Sequence, residues 1–462
     1  MSLASAKFKK KSEQIAFDLN HRKVIKFNIN KYKEAFTEGK KIFTDIELAK
    51  ERAANIRTKV LNNLDHYLIE FESNFERNGG KVLWASDAKD AVKHVLEIIQ
   101  EHKVEKIVKS KSMVSEEIQL NSVLKSKKIE CLETDLGEYI VQLSGEKPYH
   151  IVTPAMHKTK EDIASLLNKK FGSDLNGDPK KITSFVRGIL REKFENADMG
   201  ITGANFLLPD IGGIAITENE GNAFLSYSLP KVHVIITGIE KLLTSYKDLS
   251  LFWPLLSSHG TGQALTTYNS VITGPKKKEE KDGSEFTYII LLDNGRTDLL
   301  GTHPQSKALS CIHCGACLNV CPVFHNIGGH TYDTPYGGPI GAVISPFLSG
   351  FKETIHLSFA SSLCGSCTDI CPVKIPLHQL LLHNRNLSVK KGIPRSKEKT
   401  IMKLSSYFLS KRSNMDSISG GLKTFLLKKM LKSSWGSKRV FPVFSKRSFA
   451  QQWKKRGAED TK

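Results

Sequence analysis

The sequence lacks the features of membrane-embedded, secreted and nucleotide-binding proteins. It has no run of about 18 uncharged apolar residues, so we expect no membrane-spanning helix. Residues 1–11 are rich in lysine and contain no apolar stretch, unlike a secretory signal. Neither a G-x-G-x-x-G fingerprint nor a Walker motif is present, and no flavin motif is visible. These absences predict a cytoplasmic protein and do not indicate a nucleotide site.

Charge is distributed unevenly along the 462 residues. The formal net charge is +20, and residues 395–462 contribute +14 of it, from 18 Lys and Arg against 4 Asp and Glu. The first 394 residues therefore carry only +6. A hydrophobic fraction of 40% is enough for packed cores, and the length indicates two or three domains.

The pattern of apolar residues divides the chain into four regions. Helical spacing from Asp45 to Phe75 predicts a helical start, and Asn78-Gly79-Gly80 ends it. Strand-like and helical runs then alternate, which is typical of βαβ units and a largely parallel sheet. We expect a helical region at 1–78, an α/β domain at 79–300, a cysteine-rich domain at 301–394 and a basic helical tail at 395–462. The predicted strands are Lys81–Ala85, Lys106–Lys109, Glu130–Thr134, Gly213–Thr217, Val232–Thr237 and Thr287–Leu292, with helices at Ala88–His102 and Ser115–Lys125.

Seven of the eight cysteines lie in two groups between residues 311 and 371. The first group is Cys311, Cys314, Cys317 and Cys321, followed by Pro322. This is the C-x-x-C-x-x-C-x-x-x-C-P spacing of bacterial ferredoxins, whose fourth cysteine ligates the other cluster. The second group, Cys364, Cys367 and Cys371 before Pro372, repeats the last three cysteines of the first. Ser361 stands where a fourth cysteine would complete the repeat.

The spacing predicts two 4Fe–4S clusters that exchange one ligand between the groups. Cluster one is expected to be held by Cys311, Cys314, Cys317 and Cys371, and cluster two by Cys321, Cys364 and Cys367. Cluster two then has only three cysteine ligands. Its fourth iron would be held by the Ser361 hydroxyl or by water, or would be absent, which leaves a 3Fe–4S centre. Alternatively, Ser361 caps a helix or hydrogen-bonds to a cluster sulfide.

The alternative for the whole cysteine set is a pair of structural zinc sites. Zinc favours four ligands in two C-x-x-C pairs, whereas these groups have four and three cysteines, each followed by proline. Helical patterns at Val343–Leu348 and Leu377–Leu387 indicate a helical ferredoxin module, which resembles the dicluster domain of succinate dehydrogenase iron–sulfur subunits. The remote Cys131 is interpreted as a buried packing thiol.

Two stretches of the α/β domain, residues 198–222 and 257–263, are rich in glycine and hydroxyl residues and are expected to form loops after apolar strands. Such loops bind anions or ligands at the carboxyl ends of strands, and they also occur as ordinary tight turns. Within them, Glu218 and Glu220 are candidates for an acid or base, with solvated surface carboxylates as the alternative. His259 is interpreted as structural.

Five segments of the chain carry a resemblance to a known family. They are Lys109–Glu117, Glu133–Tyr139, Pro154–Lys158, Thr202–Phe206 and Glu218–Asn222. Together with the cysteine layout and the serine at 361, they resemble the lactate utilization protein B family over essentially the whole chain. The resemblance implies an α/β domain with the parallel-sheet fold of ribose-phosphate isomerases and CoA transferases, followed by an α-helical dicluster ferredoxin domain.

The resemblance also implies a role in oxidising L-lactate to pyruvate together with two companion proteins. We therefore expect an iron–sulfur electron-transfer subunit of an L-lactate-oxidising oxidoreductase complex that allows growth on lactate. Such a subunit carries electrons and is not the sole catalyst. In the alternative, the α/β domain itself acts on a carboxylate or sugar acid, and the clusters relay its electrons. The sequence assigns no catalytic residue and no electron acceptor.

The basic tail interleaves aromatic residues with lysines and arginines. The aromatic residues are Phe441, Phe444, Phe449 and Trp453. This pattern favours docking to an acidic partner or an anionic membrane surface over nucleic-acid binding. We therefore expect a cytoplasmic protein with a peripheral membrane contact or a protein partner at its tail.

Overall fold

The computed structural model describes residues 3–393, 396–435 and 439–459. The chain divides into two compact units, Met1–Leu387 and Ser388–Lys462. The first unit contains a parallel α/β sheet with its helices and the cysteine-rich segment, and the described part of the second is helical. No helix among the described residues is both long and apolar enough to cross a bilayer.

The elements are numbered in chain order. The strands are β1 Lys81–Ala85, β2 Lys106–Lys109, β3 Glu130–Glu133, β4 Met199–Thr202, β5 Phe206–Leu208, β6 Gly213–Glu218, β7 Val232–Gly238, β8 Tyr268–Ile272 and β9 Phe286–Leu292. The helices up to the first cysteine group are α1 Leu3–Ala16, α2 Leu19–Gly39, α3 Ile46–Asn62, α4 Leu64–Arg77, α5 Ala88–Glu101, α6 Met113–Glu117, α7 Leu120–Ser126, α8 Leu136–Ser144, α9 Lys160–Phe171, α10 Pro179–Glu195, α11 Asn222–Ser228, α12 Leu249–Gly260 and α13 Arg296–Leu300. The later helices are α14 Ala316–Asn319, α15 Pro322–Ile327, α16 Gly338–Leu348, α17 Phe351–Thr354, α18 Ser366–Asp369, α19 Leu377–Lys390, α20 Ser396–Ser410, α21 Arg412–Asp416, α22 Gly420–Trp435 and α23 Phe449–Glu459.

Six strands form one parallel sheet in the order β1-β9-β7-β4-β2-β3. Successive residues of the central strands alternate between its two faces. Val234 and Ile236 of β7 pack in the core that contains α5, and Ile235 packs in the core that contains α4. Helices therefore cover both faces, as a parallel sheet of buried strands requires. The predicted α/β fold is confirmed.

The strand order reverses direction next to β2. From β2 the chain runs to β3 at the edge, whereas β4 lies on the other side of β2 and leads on toward β7. Loops that leave two adjacent parallel strands in opposite directions open a crevice at the carboxyl ends of those strands. The carboxyl ends of β2 and β4 are therefore where the topology favours a ligand site.

Three predicted elements differ from the structure in more than the exact position of their ends. The helix predicted from Asp45 to Phe75 is two helices, α3 and α4, separated at Asn63. The helix predicted at Ser115–Lys125 is also two, because Gln119 adopts a left-handed conformation with φ of 54° between α6 and α7. The predicted strand at Gly213 forms as β6, but it pairs antiparallel with β5 and β8 in a separate three-stranded sheet.

The second unit exposes many of its apolar side chains. Among the described residues of this unit, seventeen large apolar side chains are exposed, including those of Leu409, Phe425, Phe449 and Trp453. The rings of Phe449 and Trp453 stack on α23 with centroids 5.8 Å apart. Lysines and arginines occupy the same helices, so exposed apolar groups and cationic residues alternate along them.

Candidate iron–sulfur site and adjoining cavity

The two cysteine groups adopt the same backbone conformation. Each residue of the second lies 50 positions after its counterpart in the first. His313 and Leu363 have φ of 56° and 57°, and the glycines that follow the next cysteine, Gly315 and Gly365, have φ of 77° and 85°. A short helix then begins in each group, α14 in the first and α18 in the second. The repeat seen in the sequence is therefore also a repeat of loop geometry.

Ser361 occupies the place of Cys311 in this repeated loop. The His313 N–H donates to Cys311 Sγ at 3.3 Å, and the Leu363 N–H donates to Ser361 Oγ at 3.1 Å. The hydroxyl of Ser361 is thus held by the same backbone donor, two residues on, that holds the thiol of Cys311. The first loop presents a sulfur at this position, and the second presents an oxygen.

The seven thiols lie close together across the two loops, in two neighbourhoods. Burial raises the pKa of Cys314, and the nearby thiols of Cys311 and Cys371 raise it further. The pKa of Cys317 is likewise raised by burial and by the thiols of Cys311, Cys314 and Cys371. In the other neighbourhood, burial raises the pKa of Cys367 to about 11, with a further contribution from Cys321 and Cys364. Cys371 therefore lies with the first loop, and Cys321 lies with the second.

The two neighbourhoods differ in exposure. The difference rests on one thiol: Cys364 of the second neighbourhood is exposed, Cys311 is half-buried, and the other five cysteines of the two groups are buried. Hydrogen bonds between Cys364 and Ser366 hold the pKa of the Cys364 thiol below its ordinary value. Backbone N–H groups also reach the sulfurs, as at Cys371, which accepts from the Ile375 N–H at 3.4 Å. Clustered thiols, positive-φ turns and backbone donors to sulfur are the features that an iron–sulfur cluster needs, so this donor set fits one.

A buried arginine of the N-terminal helices holds the backbone that immediately precedes the first cysteine loop. Arg57 on α3 is 1% exposed, and its guanidinium donates only to backbone carbonyl oxygens among its hydrogen bonds in the described residues. Those carbonyls belong to Leu309 and Ser310, which precede Cys311, and to Glu240 and Leu242, which follow β7. One side chain therefore joins the helical N-terminus, the sheet and the cysteine loop.

A second buried arginine makes an ion-pair network beside it. Arg296 donates from Nε to Glu240 Oε2 at 2.6 Å and from Nη1 to Glu117 Oε1 at 2.9 Å. The Tyr336 hydroxyl, from the segment between the cysteine groups, donates to Glu117 Oε2 at 2.7 Å. The two carboxylates hold the pKa of Arg296 above its ordinary value despite burial. This network ties the segment between the cysteine groups to the carboxyl edge of the sheet.

A cavity of about 400 Å³ opens at the crevice between β2 and β4. The loops after these strands form part of its wall, with Ser110–Val114 after β2 and Gly203–Asn205 after β4. The first cysteine loop, including His313 and Cys314, forms another part. A cavity at the carboxyl edge of the sheet therefore opens directly onto the ligand loop of the first cysteine group.

The cavity wall carries two lysines. Lys241 is 5% exposed, and burial lowers its pKa to about 8. Its Nζ donates to His313 Nδ1 at 2.7 Å, and burial keeps the pKa of that imidazole well below its ordinary value, so the ring is a neutral acceptor. Lys111 donates from Nζ to the Val152 carbonyl oxygen at 2.6 Å.

Three carboxylates form another part of the same wall. They are Asp135, Glu218 and Glu220. Burial and the neighbouring charge of Asp135 raise the pKa of Glu220 to about 7. Glu218 accepts from the N–H groups of Ala223 at 2.7 Å and Phe224 at 2.8 Å. The sequence singled out Glu218 and Glu220, and the structure places both at the cavity.

The other residues singled out from the sequence have packing or surface contacts. His259 is buried, its Nδ1 lies 2.9 Å from the Leu255 carbonyl oxygen, and burial lowers its pKa to about 4. Cys131 lies far along the chain from the loops, with Sγ 3.7 Å from Asn121 Oδ1, and burial raises its pKa to about 12. The sequence analysis did not identify Arg57, Lys241 and Arg296 as residues of the site. The neighbouring sequence of a single lysine or arginine does not show which distant residues it contacts in the fold.

Comparisons with known proteins agree with this arrangement. Residues 68–292 match the LUD domain, and residues 307–375 match the 4Fe–4S dicluster domain. A parallel α/β domain joined to a dicluster module defines the class of LUD-domain iron–sulfur proteins. The expectation of iron–sulfur clusters is confirmed at that level.

Similar proteins of known name identify the family within this class to which the chain belongs. The chain is 46% identical over 343 residues to Lactate utilization protein B of Bacillus pumilus (strain SAFR-032), covering 74% of this chain and 72% of that one. It is 45% identical over 350 residues to Lactate utilization protein B of Bacillus subtilis (strain 168), covering 75% and 73%. The chain belongs to the lactate utilization protein B family. A crystal structure of a DUF162 family protein from Deinococcus radiodurans aligns with 50% of this chain and 98% of that one, at 9% identity and a TM-score of 0.29.

Proposed function

We propose that the chain is the iron–sulfur electron-transfer subunit of a system that oxidises L-lactate to pyruvate. The observation that carries this proposal is the pair of repeated cysteine loops, one beside a cavity and the other reaching the surface at Cys364. The names of the relatives supply the lactate context. Companion subunits would pass electrons to this chain and remove them from it.

In this proposal residues 301–394 hold two 4Fe–4S clusters. Cluster one would be bound by Cys311, Cys314, Cys317 and Cys371, and cluster two by Cys321, Cys364 and Cys367. The two thiol neighbourhoods support this exchange of ligands. Each cluster carries one electron at a time, and lactate releases two, so a pair of clusters suits the stoichiometry.

The fourth corner of cluster two is proposed to be an oxygen ligand. The Ser361 hydroxyl, or a water beside it, would complete a four-iron centre, with a 3Fe–4S centre as the alternative. Ser361 accepts the same kind of backbone hydrogen bond as Cys311, which supports a four-iron centre. Oxygen binds iron of such a cluster less strongly than thiolate sulfur, so this corner would be the labile one.

Burial suggests the direction of electron flow. Cluster one would lie beside the cavity, and cluster two would lie at the surface near exposed Cys364. Electrons would then enter at cluster one and leave at cluster two. An acceptor would dock near the second loop.

Growth on L-lactate tests the proposal. In a strain whose growth on L-lactate depends on this chain, Cys314→Ala is expected to abolish that growth, because cluster one loses a buried ligand. The growth rate on L-lactate as sole carbon source is the measurement, and growth on glucose is the control for general fitness. Normal growth of the Cys314→Ala strain on L-lactate would reject the electron-transfer role.

The second unit is proposed to dock on an anionic membrane surface. Its exposed apolar side chains and its positive charge together are what interfacial binding requires. The protein would then be cytoplasmic with a peripheral membrane contact. Nucleic-acid binding is the weaker alternative, since large apolar side chains contribute little to a phosphate contact.

Vesicle binding tests this docking. The full-length protein is expected to sediment with phosphatidylserine vesicles and not with phosphatidylcholine vesicles at the same salt concentration. The double variant Phe449→Ser/Trp453→Ser is expected to bind roughly tenfold more weakly, because two apolar side chains no longer enter the interface. Ile69→Ser, which removes an exposed apolar side chain from the first unit, serves as the matched control. Equal binding by all three proteins would show that the aromatic pair of α23 has no part in docking.

A further inference from the structure

We propose that the cavity between β2 and β4 binds a small 2-hydroxy- or 2-oxo-carboxylate beside the ligand loop of cluster one. This inference rests on the proposed function, because it names the substrate class that the electron-transfer subunit would itself hold. It assigns a binding role to the α/β domain, which would otherwise be only a scaffold for the cysteine module.

The position of the cavity is the first argument. It lies where the strand order reverses, at the carboxyl ends of β2 and β4, where open parallel sheets bind their ligands. Its volume of about 400 Å³ is within the range of small-molecule sites. Gly203 belongs to the loop after β4, and a Cβ there would lie 3.1 Å from Ser112 Oγ, so the two loops approach closely at this point.

The cations of the wall are the second argument. Lys241 is buried near Arg57 and Arg296, and its ammonium group donates to His313 Nδ1 at 2.7 Å. The carboxylate pairs of Arg296 and the carbonyl partners of Arg57 occupy those two guanidinium groups. Within the described part of the chain, Lys241 donates to the His313 ring and to no carboxylate, and Lys111 donates only to the Val152 carbonyl oxygen. These two ammonium groups suit a carboxylate, which accepts charge-assisted hydrogen bonds.

The carboxylates of the wall are the third argument. Asp135, Glu218 and Glu220 lie together, and Lys111 is the cation near Glu220. Two of the Glu218 bonds come from backbone N–H groups, which fix that side chain in place. A carboxylate beside them can accept a hydrogen bond from the 2-hydroxyl group of the ligand, and a protonated one can donate to a 2-oxo group. Glu220, whose pKa burial and Asp135 raise to about 7, can do both near neutral pH.

The neighbourhood of the cysteine loop is the fourth argument. Cys314 itself lines the cavity, and its carbonyl oxygen lies 3.5 Å from where a Cβ on Gly260 would sit. A ligand in the cavity is therefore separated from the first cluster loop by no intervening element. Binding and orientation are what these residues supply. The oxidation itself would take place on a two-electron acceptor of a companion subunit, which would release the two protons to solvent and pass the two electrons singly to the clusters.

Direct binding measurements test the inference. The anaerobic, cluster-loaded, full-length protein is titrated calorimetrically with L-lactate, pyruvate, propionate and inorganic phosphate. We expect L-lactate and pyruvate to bind, and propionate, which lacks the 2-oxygen, to bind at least tenfold more weakly. Lys111→Gln is expected to weaken L-lactate binding at least tenfold. Glu220→Gln is expected to reduce the preference for L-lactate over propionate.

The matched control lies at the other end of the same strand. Lys106 begins β2 with an exposed side chain, so Lys106→Gln removes the same charge away from the cavity and is expected to leave binding unchanged. If the loaded protein binds neither L-lactate nor pyruvate while it still restores growth on lactate, the inference is overturned and the electron-transfer role stands. Equal affinity for phosphate and L-lactate would overturn the assigned ligand class. If the isolated chain holds no clusters, the proposed function itself fails, whatever the titration shows.

Discussion

Cys371→Ala is expected to remove the same iron–sulfur cluster as Cys314→Ala, although the two residues are 57 positions apart in the sequence. Cys367→Ala, only four positions from Cys371, is expected to remove the other cluster. The physical reason is that Cys371 lies among the thiols of the first loop, whereas Cys367 lies with Cys321 and Cys364. Each variant should retain about half of the iron, on the order of four atoms per chain.

Anaerobic iron and sulfide analysis with electron paramagnetic resonance measures this outcome. Cys131→Ala is the control, because that thiol lies outside both neighbourhoods, and it should leave the iron content unchanged. If Cys371→Ala and Cys367→Ala eliminate the same resonance signal, the proposed exchange of ligands is wrong. The unaltered protein also reports on Ser361, since about eight irons indicate two four-iron centres and about seven indicate one three-iron centre.

Arg296→Met is expected to reduce the free energy of unfolding by about 3–5 kcal/mol. The substitution leaves Glu117 and Glu240 buried without their cation, and an unpaired charge in the interior is costly. The Tyr336 hydroxyl would still donate to Glu117, but a neutral donor does not replace the guanidinium. Anaerobic denaturation followed by circular dichroism measures the change.

Arg191→Met provides the matched comparison for this prediction. Arg191 forms an exposed ion pair with Glu195 on α10 at 3.0 Å, and surface pairs of this kind contribute about 0–1 kcal/mol. A loss no larger for Arg296→Met than for Arg191→Met would mean that the buried carboxylates become protonated or hydrated at little cost. If unpaired charge causes the loss in Arg296→Met, the triple replacement Glu117→Gln/Glu240→Gln/Arg296→Met should be more stable than Arg296→Met alone.

The positions of the sheet strands could be predicted only in part from the sequence. Five of the expected strands lie in the parallel sheet within one residue of their predicted ends, because long β-branched and apolar runs leave few alternatives. The short strands β4, β5 and β8 had no such runs and were missed, although β4 lies in the middle of the parallel sheet. The antiparallel placement of β6 depends on those two partners, so the sequence pattern of β6 alone does not reveal it.

The cysteine spacing made the cluster region predictable, and the cavity was not. The spacing of cluster ligands is a local property that can be read directly from the sequence, as can the serine at position 361. The cavity joins loops after β2, β3 and β4 with a cysteine loop that comes more than a hundred residues later. Lys241 and His313 are 72 positions apart and meet only because of the fold. Long-range contacts of this kind have no periodicity by which a single sequence discloses them.

The carbonyl contacts of Arg57 have a consequence for turnover. This guanidinium holds the backbone before Cys311 and the backbone after β7 to the same rigid helix. The gap between anything bound at the sheet edge and a cluster held by the first loop would therefore stay constant, and no hinge would have to close before an electron crossed it. Throughput would then be limited by the arrival and departure of other molecules, so it should respond to their concentrations more than to solvent viscosity.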